Sequence, residues 1–227
     1  MQKQTALKFR HRVVLKVINR LKKQYSASSL AAILFLLCLI FSPMQAYSAT
    51  STPELEPTDA QKRAAKEILR QLEYAHYRKQ AIDGNFSSSI LDNYVKFLDE
   101  QKIYFIKKDL QQFERYRFLF DKSIKNANLE PAFNIYNRFQ QRVMERQQYA
   151  LGLLKNGISQ FNFEKSESLE LDRENLDWAP SEKALDNLWR KRLKHAVLNQ
   201  KLAGKSNDEI VTTLSRRFKT QLTRVKQ

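Results

Sequence analysis

The chain has 227 residues, of which 40 are Lys or Arg and 24 are Asp or Glu, so its formal net charge is +16. Its single cysteine excludes a disulfide within the chain, and its three histidines offer few metal ligands. Glycine and proline are scarce whereas leucine, lysine, glutamine and glutamate are common, which favours helices.

Residues 1–48 have the order of regions that is typical of a secretory signal peptide. Residues 1–53 contain eight basic residues and no acidic one, and the apolar run Leu30–Phe41 follows the basic part. This run has only twelve residues, whereas a membrane-spanning helix needs about 20. We therefore predict cleavage after Ser48 or Ala49 and export to the periplasm, with an uncleaved membrane anchor as the alternative.

The chain after the cleavage site is predicted to be mainly α-helical, behind a flexible leader at residues 49–57. Apolar residues at helical spacing predict a first helix over Thr58–Gln80. Asp83-Gly84-Asn85 is predicted to form a turn. The serines Ser87–Ser89 are N-cap candidates for a second helix, which is predicted to end near Glu100.

The middle of the chain combines helices with extended or irregular segments. Lys102–Ile106 is predicted to be a short extended stretch, and a third helix is predicted over Lys108–Ile124. A fourth helix starts near Pro131, since proline is tolerated in the first turn, and ends at Asn156-Gly157. Residues 158–180 lose the helical spacing, so we predict an irregular segment there.

Two further helices are predicted near the end of the sequence. The fifth helix runs from Ser181 to Gly204, and Ser206–Glu209 fits a capping box that starts the sixth helix. From Arg190 onward eleven Lys and Arg face only two acidic residues. The apolar stripe of the sixth helix consists of Ile210, Leu214, Phe218, Leu222 and Val225.

The sequence offers too few donors for a metal site. After cleavage the remaining histidines are His76 and His195, which fall in different predicted helices. Glu73 and His76 share one face of the first helix, but a metal site needs more than two donors. A half-buried histidine with one ordinary hydrogen bond explains this pair, so we predict neither a metal nor another cofactor.

No catalytic constellation stands out either. Gly204-Lys205-Ser206 is similar to the end of a phosphate-binding loop, but no upstream glycine or strand accompanies it. A helix end followed by a helix start explains this stretch. Asp172, Glu174 and Asp177 are scattered in the irregular segment, as turn or capping residues rather than an acid–base pair. We therefore assign no catalytic residue.

The basic stretches Trp189–His195 and Ser215–Lys219 have two interpretations. They could hold phosphate groups of a nucleic acid, or they could be the solvent faces of amphipathic helices. Because an exported chain meets little nucleic acid, we predict no nucleic-acid partner. An acidic partner protein, or another part of the same polypeptide, agrees better with their charge.

Four stretches of the sequence carry a resemblance to a known family. They are Ala75–Phe113, Glu145–Leu154, Leu171–Trp189 and Lys201–Phe218. In order and spacing they resemble the N-terminal region of the periplasmic tail-specific proteases, also called carboxyl-terminal processing peptidases. The resemblance covers about residues 58–227 of this sequence.

This resemblance implies a helical N-terminal domain that packs around a protease, shapes access for unfolded tails and helps to dock partners such as adaptor proteins. In the family, a PDZ domain and a protease domain with a Ser–Lys dyad follow, and their motifs are not found in this sequence.

The chain is therefore expected to be a truncated domain, inactive alone, whose partners are the remaining protease domains and the C-terminal tails of periplasmic proteins. An independent periplasmic binding or adaptor module is the alternative. If the domain is truncated, its last helix is expected to expose an apolar face, which favours oligomerisation.

Overall fold

The computed structural model describes residues 54–74 and 83–226, which form seven α-helices and no regular strand. The helices are α1 (Asp59–Tyr74), α2 (Gly84–Leu98), α3 (Lys107–Phe113), α4 (Phe120–Lys125), α5 (Glu130–Lys155), α6 (Glu182–Leu202) and α7 (Asn207–Lys226). Short 3-10 turns occupy Glu114–Tyr116 and Ile158–Gln160. The prediction of a mainly α-helical chain is confirmed, and the predicted irregular segment lies between α5 and α6.

Helix α1 starts close to its predicted position. Thr58 and Gln61 form a capping pair, in which the Thr58 amide donates to Gln61 Oε1 at 2.8 Å and the Gln61 amide donates to Thr58 Oγ1 at 3.3 Å. The chain just before the helix is held by Asn137 of α5, which bonds both backbone groups of Leu55 at 3.0 Å. The predicted continuation of this helix to Gln80 lies outside the described residues.

Helix α2 begins earlier than the sequence predicts. Its N-cap is Asp83, whose side-chain oxygen accepts hydrogen bonds from the amides of Asn85 and Phe86, both at 3.0 Å. The turn predicted at Asp83-Gly84-Asn85 was therefore wrong, and so was the N-cap predicted within Ser87–Ser89. The physical reason is that a carboxylate directly before a helix satisfies the orphan amides of the first turn.

The third helix, predicted as one element over Lys108–Ile124, is divided into α3, a 3-10 turn and α4. Ser87 of α2 holds the break, because its hydroxyl donates to the Arg117 carbonyl and accepts from the Phe120 amide, both at 2.8 Å. In an unbroken helix those two backbone groups would bond within the helix. The break leaves Phe113 and Phe120 both buried in the same core.

Glycines and serines mark the ends of the long helices, as predicted. Gly157 follows α5 with φ of 81°, and Gly204 follows α6 with φ of 76°, both in the left-handed region that glycine adopts without strain. Ser181 caps the first turn of α6 through its hydroxyl. Ser206 and Glu209 form the predicted capping box of α7, with reciprocal hydrogen bonds of 2.9 and 3.3 Å.

Two apolar clusters share the long helix α5. The first lies mainly between α5, α6 and α7, and its buried residues include Ala150, Leu154, Leu185, Trp189, Leu193, Val197, Ile210 and Leu214. The second lies between α2, α3, α4 and the first part of α5, and its buried residues include Leu91, Val95, Phe105, Phe113, Phe120 and Ile135. Helix α5 therefore contributes buried side chains to both clusters.

The apolar stripe of α7 packs chiefly along α5. Ile210 and Leu214 are only 0% and 4% exposed, and Phe218, Leu222 and Val225 are half-buried. Much of the stripe is therefore covered within the chain. The oligomerisation expected from an exposed stripe stays a prediction.

The loop between α2 and α3 is organised by one buried carboxylate. Asp99 is 2% exposed and accepts hydrogen bonds from the amides of residues 103, 104 and 105 at 2.8, 3.1 and 2.9 Å. Trp178 Nε1 donates a fourth hydrogen bond at 3.2 Å. An isolated parallel bridge between Ile106 and Ala179 ties this loop to the irregular segment. The prediction of an extended stretch over Lys102–Ile106 was wrong at its start, because Lys102 has a φ of 51°.

A second buried carboxylate joins α3 to α5. Asp109 is fully buried and accepts hydrogen bonds from Arg142 Nε at 2.9 Å, Arg138 Nε at 2.8 Å and the Ile106 amide at 3.0 Å. Burial by itself would raise the pKa of Asp109, but its bonds to Arg142 and the Ile106 amide outweigh burial and hold that pKa below its ordinary value. Arg142 also reaches the exposed Glu182 of α6 at 3.1 Å, so one charge network, buried at Asp109 and Arg142, connects three helices.

Candidate functional site

Only one of the two histidines considered as metal ligands falls in the described part of the chain. His195 lies on α6, with its Nε2 3.4 Å from Asn199 Nδ2. His76 and the side chain of Glu73 lie outside the described residues. Within residues 54–74 and 83–226, no three His, Cys, Asp or Glu side chains are grouped in a way that would hold a metal ion.

The other stretches considered for catalysis have structural roles. Gly204 follows the end of α6, and Ser206 caps the start of α7. This agrees with the interpretation of Gly204-Lys205-Ser206 as a helix end followed by a helix start. Asp172 Oδ1 accepts a hydrogen bond from the Glu174 amide at 3.3 Å, which is a turn contact. Glu174 and Asp177 each pair with a lysine, at the edge of the groove described next.

An open groove of about 560 Å³ lies between α2, α3 and the irregular segment. We call it the tryptophan groove, because Trp178 lines it. The ion pairs along its border include Lys96 Nζ to Glu174 Oε1 at 2.6 Å and Lys107 Nζ to Asp177 Oδ2 at 2.9 Å. Its apolar lining consists of Leu91, Val95, Leu110, Phe113 and Trp178. Such a groove combines an apolar surface with charges of both signs along its edge.

A second cavity, of about 330 Å³, brings together the two basic stretches that the sequence singled out. Arg192 of α6 and Arg217 of α7 both line it, and we call it the arginine pocket. Its apolar lining consists of Ile103, Leu169, Leu171, Trp189, Leu193, Ala196, Leu214 and Phe218. The pocket therefore places cationic groups directly beside an apolar surface.

The cationic groups of the arginine pocket are not neutralised within the described part of the chain. Neither Arg192 nor Arg217 forms an ion pair or a side-chain hydrogen bond with any described residue. Burial lowers the pKa of the Arg192 guanidinium, and the nearby charges of Arg173 and Arg217 lower it further. Arg173 Nε is itself buried without a hydrogen-bond partner.

Two neutral polar groups also line the arginine pocket with unused hydrogen-bonding capacity. The ring of Tyr104 packs edge-to-face on Phe139 at 5.4 Å between centroids and lies 5.8 Å from Trp189. Its hydroxyl donates no hydrogen bond to a described residue, and burial raises its pKa, so it stays a neutral donor. The buried Gln200 Oε1 accepts no hydrogen bond, which is uncommon for a buried polar atom.

The other basic side chains of Trp189–His195 are already used within the chain. Arg190 and Lys194 both bind Glu167, with Lys194 Nζ at 2.8 Å. Lys191 Nζ donates to the backbone carbonyl of residue 168 at 3.0 Å. These contacts hold the irregular segment against α6. Arg192 differs from these neighbours because it has no ion pair or side-chain hydrogen bond within the described part of the chain.

Replacing Glu167 with glutamine is expected to remove part of the acid sensitivity of the fold. Hydrogen bonds from Arg190 and Lys194 lower the pKa of Glu167 from 4.5 to about 2. Because the folded pKa lies below the unfolded one, this stabilisation is complete above the unfolded value and is lost as the pH falls toward about 2. Thermal unfolding of both proteins, from neutral to strongly acidic pH, should show a difference in Tm that shrinks as the pH falls.

The control for this experiment is Glu170→Gln, which makes the same change at an exposed carboxylate of the same segment. Its Tm should follow that of the unmodified chain at every pH. A difference between Glu167→Gln and the unmodified chain that stays constant from neutral to acidic pH would contradict the role of Glu167.

Sequence reasoning identified the basic stretches but missed how the fold combines them. Arg192 and Arg217 occur within runs of basic residues, so composition alone does not distinguish them from Arg190 or Arg216. Tyr104 and Gln200 carry no local signal of a site. Only the packing of α6 against α7 and the Asp99 loop places these groups at one cavity.

No helix among the residues that the structure describes combines the length and the apolarity needed to cross a membrane.

Comparison with known proteins agrees with the resemblance seen in the sequence. Residues 68–227 match the family model described as tail specific protease N-terminal domain. A tail-specific protease from Haemophilus influenzae is 30% identical to the chain over 184 residues. The match covers 77% of the chain but 26% of that relative, so the chain spans about a quarter of the relative's length.

Proposed function

Because the chain belongs to the tail-specific protease N-terminal domain family, we propose that it is a non-catalytic helical domain that binds unfolded polypeptide for such a protease. In this role it shapes the access of polypeptide tails to the protease domains. Cleavage is assigned to a Ser–Lys protease domain of such a protease, and this chain by itself is proposed to be inactive. The signal-peptide pattern of residues 1–48 supports the periplasm as its location.

The observation that carries this proposal is the tryptophan groove. Leu110 and Trp178 are half-buried and line an open groove, so their apolar surface is available to a ligand. An unfolded chain exposes apolar side chains that a folded protein buries. The charges of both signs beside the groove suit the mixed charges of polypeptides that differ in sequence. The groove therefore favours binding of unfolded over folded chains.

Blocking the tryptophan groove is expected to weaken binding of an unfolded polypeptide. Gln111 is exposed on α3 and lines the groove, so the bulky side chain of Gln111→Trp would fill space that the ligand needs. We expect an increase in Kd of about tenfold or more. Fluorescence anisotropy of a dye-labelled, permanently unfolded protein titrated with the purified chain measures this change.

The matched control is Gln112→Trp. Gln112 is the next residue of α3, is also exposed and does not line the groove. This variant should bind within about twofold of the unmodified chain, as surface substitutions away from a site usually do. Equal losses in Gln111→Trp and Gln112→Trp, or no loss in either, would contradict polypeptide binding in the groove.

Docking of an acidic partner, such as an adaptor protein, is a second candidate function. The observation that favours it is the excess of basic residues from Arg190 onward, a range that contains much of α6 and all of α7, with eleven Lys and Arg against two acids. Association of this kind would weaken steeply with added salt. Binding in an apolar groove would depend on salt much less, so a salt titration separates the two functions.

A further inference from the structure

One stretch of the irregular segment is fixed firmly at both ends. At its start, the side chain of Glu167 is 13% exposed and binds two cationic side chains of α6. At its end, Trp178 Nε1 donates a hydrogen bond to the buried Asp99 at 3.2 Å. We call residues 168–177, which lie between these two fixed points, the strap.

The strap itself buries little apolar surface. Residues 168–177 form no helix or regular strand, and their apolar side chains are Leu169, Leu171 and Leu176. Leu171 and Leu176 are 55% and 40% exposed. Because burial of apolar area is the main force that holds a segment against a core, the strap depends on its polar contacts to stay in place.

Two exposed ion pairs fasten the strap to the helices of the tryptophan groove. Glu174 binds Lys96 of α2 at 2.6 Å, and Asp177 binds Lys107 of α3 at 2.9 Å. All four side chains are at least 40% exposed, and exposed ion pairs contribute little to stability. These two contacts therefore break and re-form more readily than the contacts at the fixed ends of the strap.

The strap also forms part of the tryptophan groove. Glu174, Asn175 and Asp177 line the groove together with Trp178, so a polypeptide that fills the groove contacts the strap. If the two ion pairs break, these three strap residues can lift away while Trp178 stays, because Asp99 holds its ring. Opening the strap therefore removes one side of the groove and leaves its apolar binding surface in place.

We propose that the strap is a lid that controls how fast a polypeptide leaves the tryptophan groove. With both ion pairs formed, the strap retains the bound polypeptide. When they break, the strap lifts between its fixed ends and the polypeptide is released. This inference rests on the proposed function, because it describes how the groove of that function holds its ligand.

The test exchanges the charges of one ion pair. Lys96→Glu and Glu174→Lys each place two like charges at the pair, so both should open the strap. The double variant restores an attractive pair in reversed order. Stopped-flow anisotropy of a dye-labelled, permanently unfolded protein, chased with unlabelled protein, measures dissociation from the purified chain. We expect dissociation to be about fivefold faster in each single variant and within about twofold of the unmodified chain in the double variant.

The direction of the two changes separates opening of the strap from a direct effect of charge on the ligand. Lys96→Glu makes the chain more negative and Glu174→Lys makes it more positive, so a direct charge effect would change the dissociation rate in opposite directions. The matched control is Lys108→Glu, at an exposed residue of α3 that does not line the groove. Its complex should dissociate within about twofold of the unmodified rate, and circular dichroism confirms that each variant is folded.

Hydrogen exchange measures opening of the strap without any ligand. The Arg173 amide donates to Gln101 Oε1 at 2.9 Å, which is a contact between the strap and the Asp99 loop. Opening of the strap breaks this bond, so exchange of the Arg173 amide should become about fivefold faster in Lys96→Glu and in Glu174→Lys. The double variant should exchange this amide at the rate of the unmodified chain.

Three outcomes would overturn the inference: single variants that dissociate at the unmodified rate, single variants that change the rate in opposite directions, or a double variant as fast as the single ones. Failure of the proposed function is a different result, namely no binding of unfolded protein, or no effect of Gln111→Trp on that binding. If Gln111→Trp weakens binding while the strap variants leave dissociation and amide exchange unchanged, then the groove binds polypeptide and the strap is not its lid.

Discussion

Replacing Asp109 with alanine is expected to lower the free energy of unfolding by about 3–5 kcal/mol, the usual range when one member of a buried ion pair is removed. Arg142 is 1% exposed, so its charge would remain buried in the variant. Its remaining ion-pair partners would be Glu145 and the exposed Glu182. The Ile106 amide at the start of α3 would also lose its acceptor. Urea denaturation followed by circular dichroism measures the loss.

The control is Asp92→Ala, because Asp92 is an exposed carboxylate that also binds an arginine, Arg117, at 3.0 Å. We expect that variant to lose less than about 1 kcal/mol, since exposed ion pairs contribute little. The double variant Asp109→Leu with Arg142→Met removes both buried charges, and it should be more stable than Asp109→Ala. A loss of less than about 1 kcal/mol for Asp109→Ala would show that the network does not hold α3 against α5.

Replacing Asp99 with alanine is expected to cost about 3 kcal/mol of stability and to change the fluorescence of Trp178. The variant leaves the amides of residues 103–105 without their acceptor, and unsatisfied buried donors cost about 1–3 kcal/mol each before the loop relaxes. The same carboxylate holds Trp178 beside the tryptophan groove and positions Tyr104 beside the arginine pocket. Polypeptide binding should therefore weaken together with stability.

Two variants separate the hydrogen bonds of Asp99 from general damage to the loop. Asp99→Asn keeps one acceptor oxygen and should lose less stability than Asp99→Ala. Glu100→Ala changes the neighbouring exposed residue and should lie within about 0.5 kcal/mol of the unmodified chain. Urea denaturation combined with tryptophan emission reports both effects, and equal losses in Asp99→Ala and Glu100→Ala would contradict the role given to Asp99.

Much of the secondary structure could be predicted because its signals are local. The caps at Ser181 and Ser206 and the glycine ends at Gly157 and Gly204 act within one or two turns of their helices, so the sequence displays them directly. The division of the third helix depends instead on Ser87, which bonds backbone groups of residues 117 and 120. The spacing of apolar residues does not reveal a hydrogen bond between residues about 30 positions apart. Apolar residues at helical spacing also continue across the break between α3 and α4, so the pattern predicted a single helix.

The candidate sites could be predicted only in part, for the same reason. The sequence marked Arg192 and Arg217 as members of basic stretches, and it placed Glu174 and Asp177 in an irregular segment. It did not show that the first two share a pocket or that the other two pair with lysines along a groove. Those relations arise from the packing of the Asp99 loop and the irregular segment against the helices, which depends on contacts between distant residues.

The long helix α5 has a consequence for how the chain unfolds. Its 26 residues span about 39 Å at about 1.5 Å per residue, and it contributes buried side chains to both apolar clusters. If either cluster loses its packing, part of α5 becomes exposed to water. The other cluster is then weakened too, because it packs against the same helix. The two clusters should therefore melt in a single cooperative transition, and the central amides of α5 should be among the last to exchange their hydrogens with water.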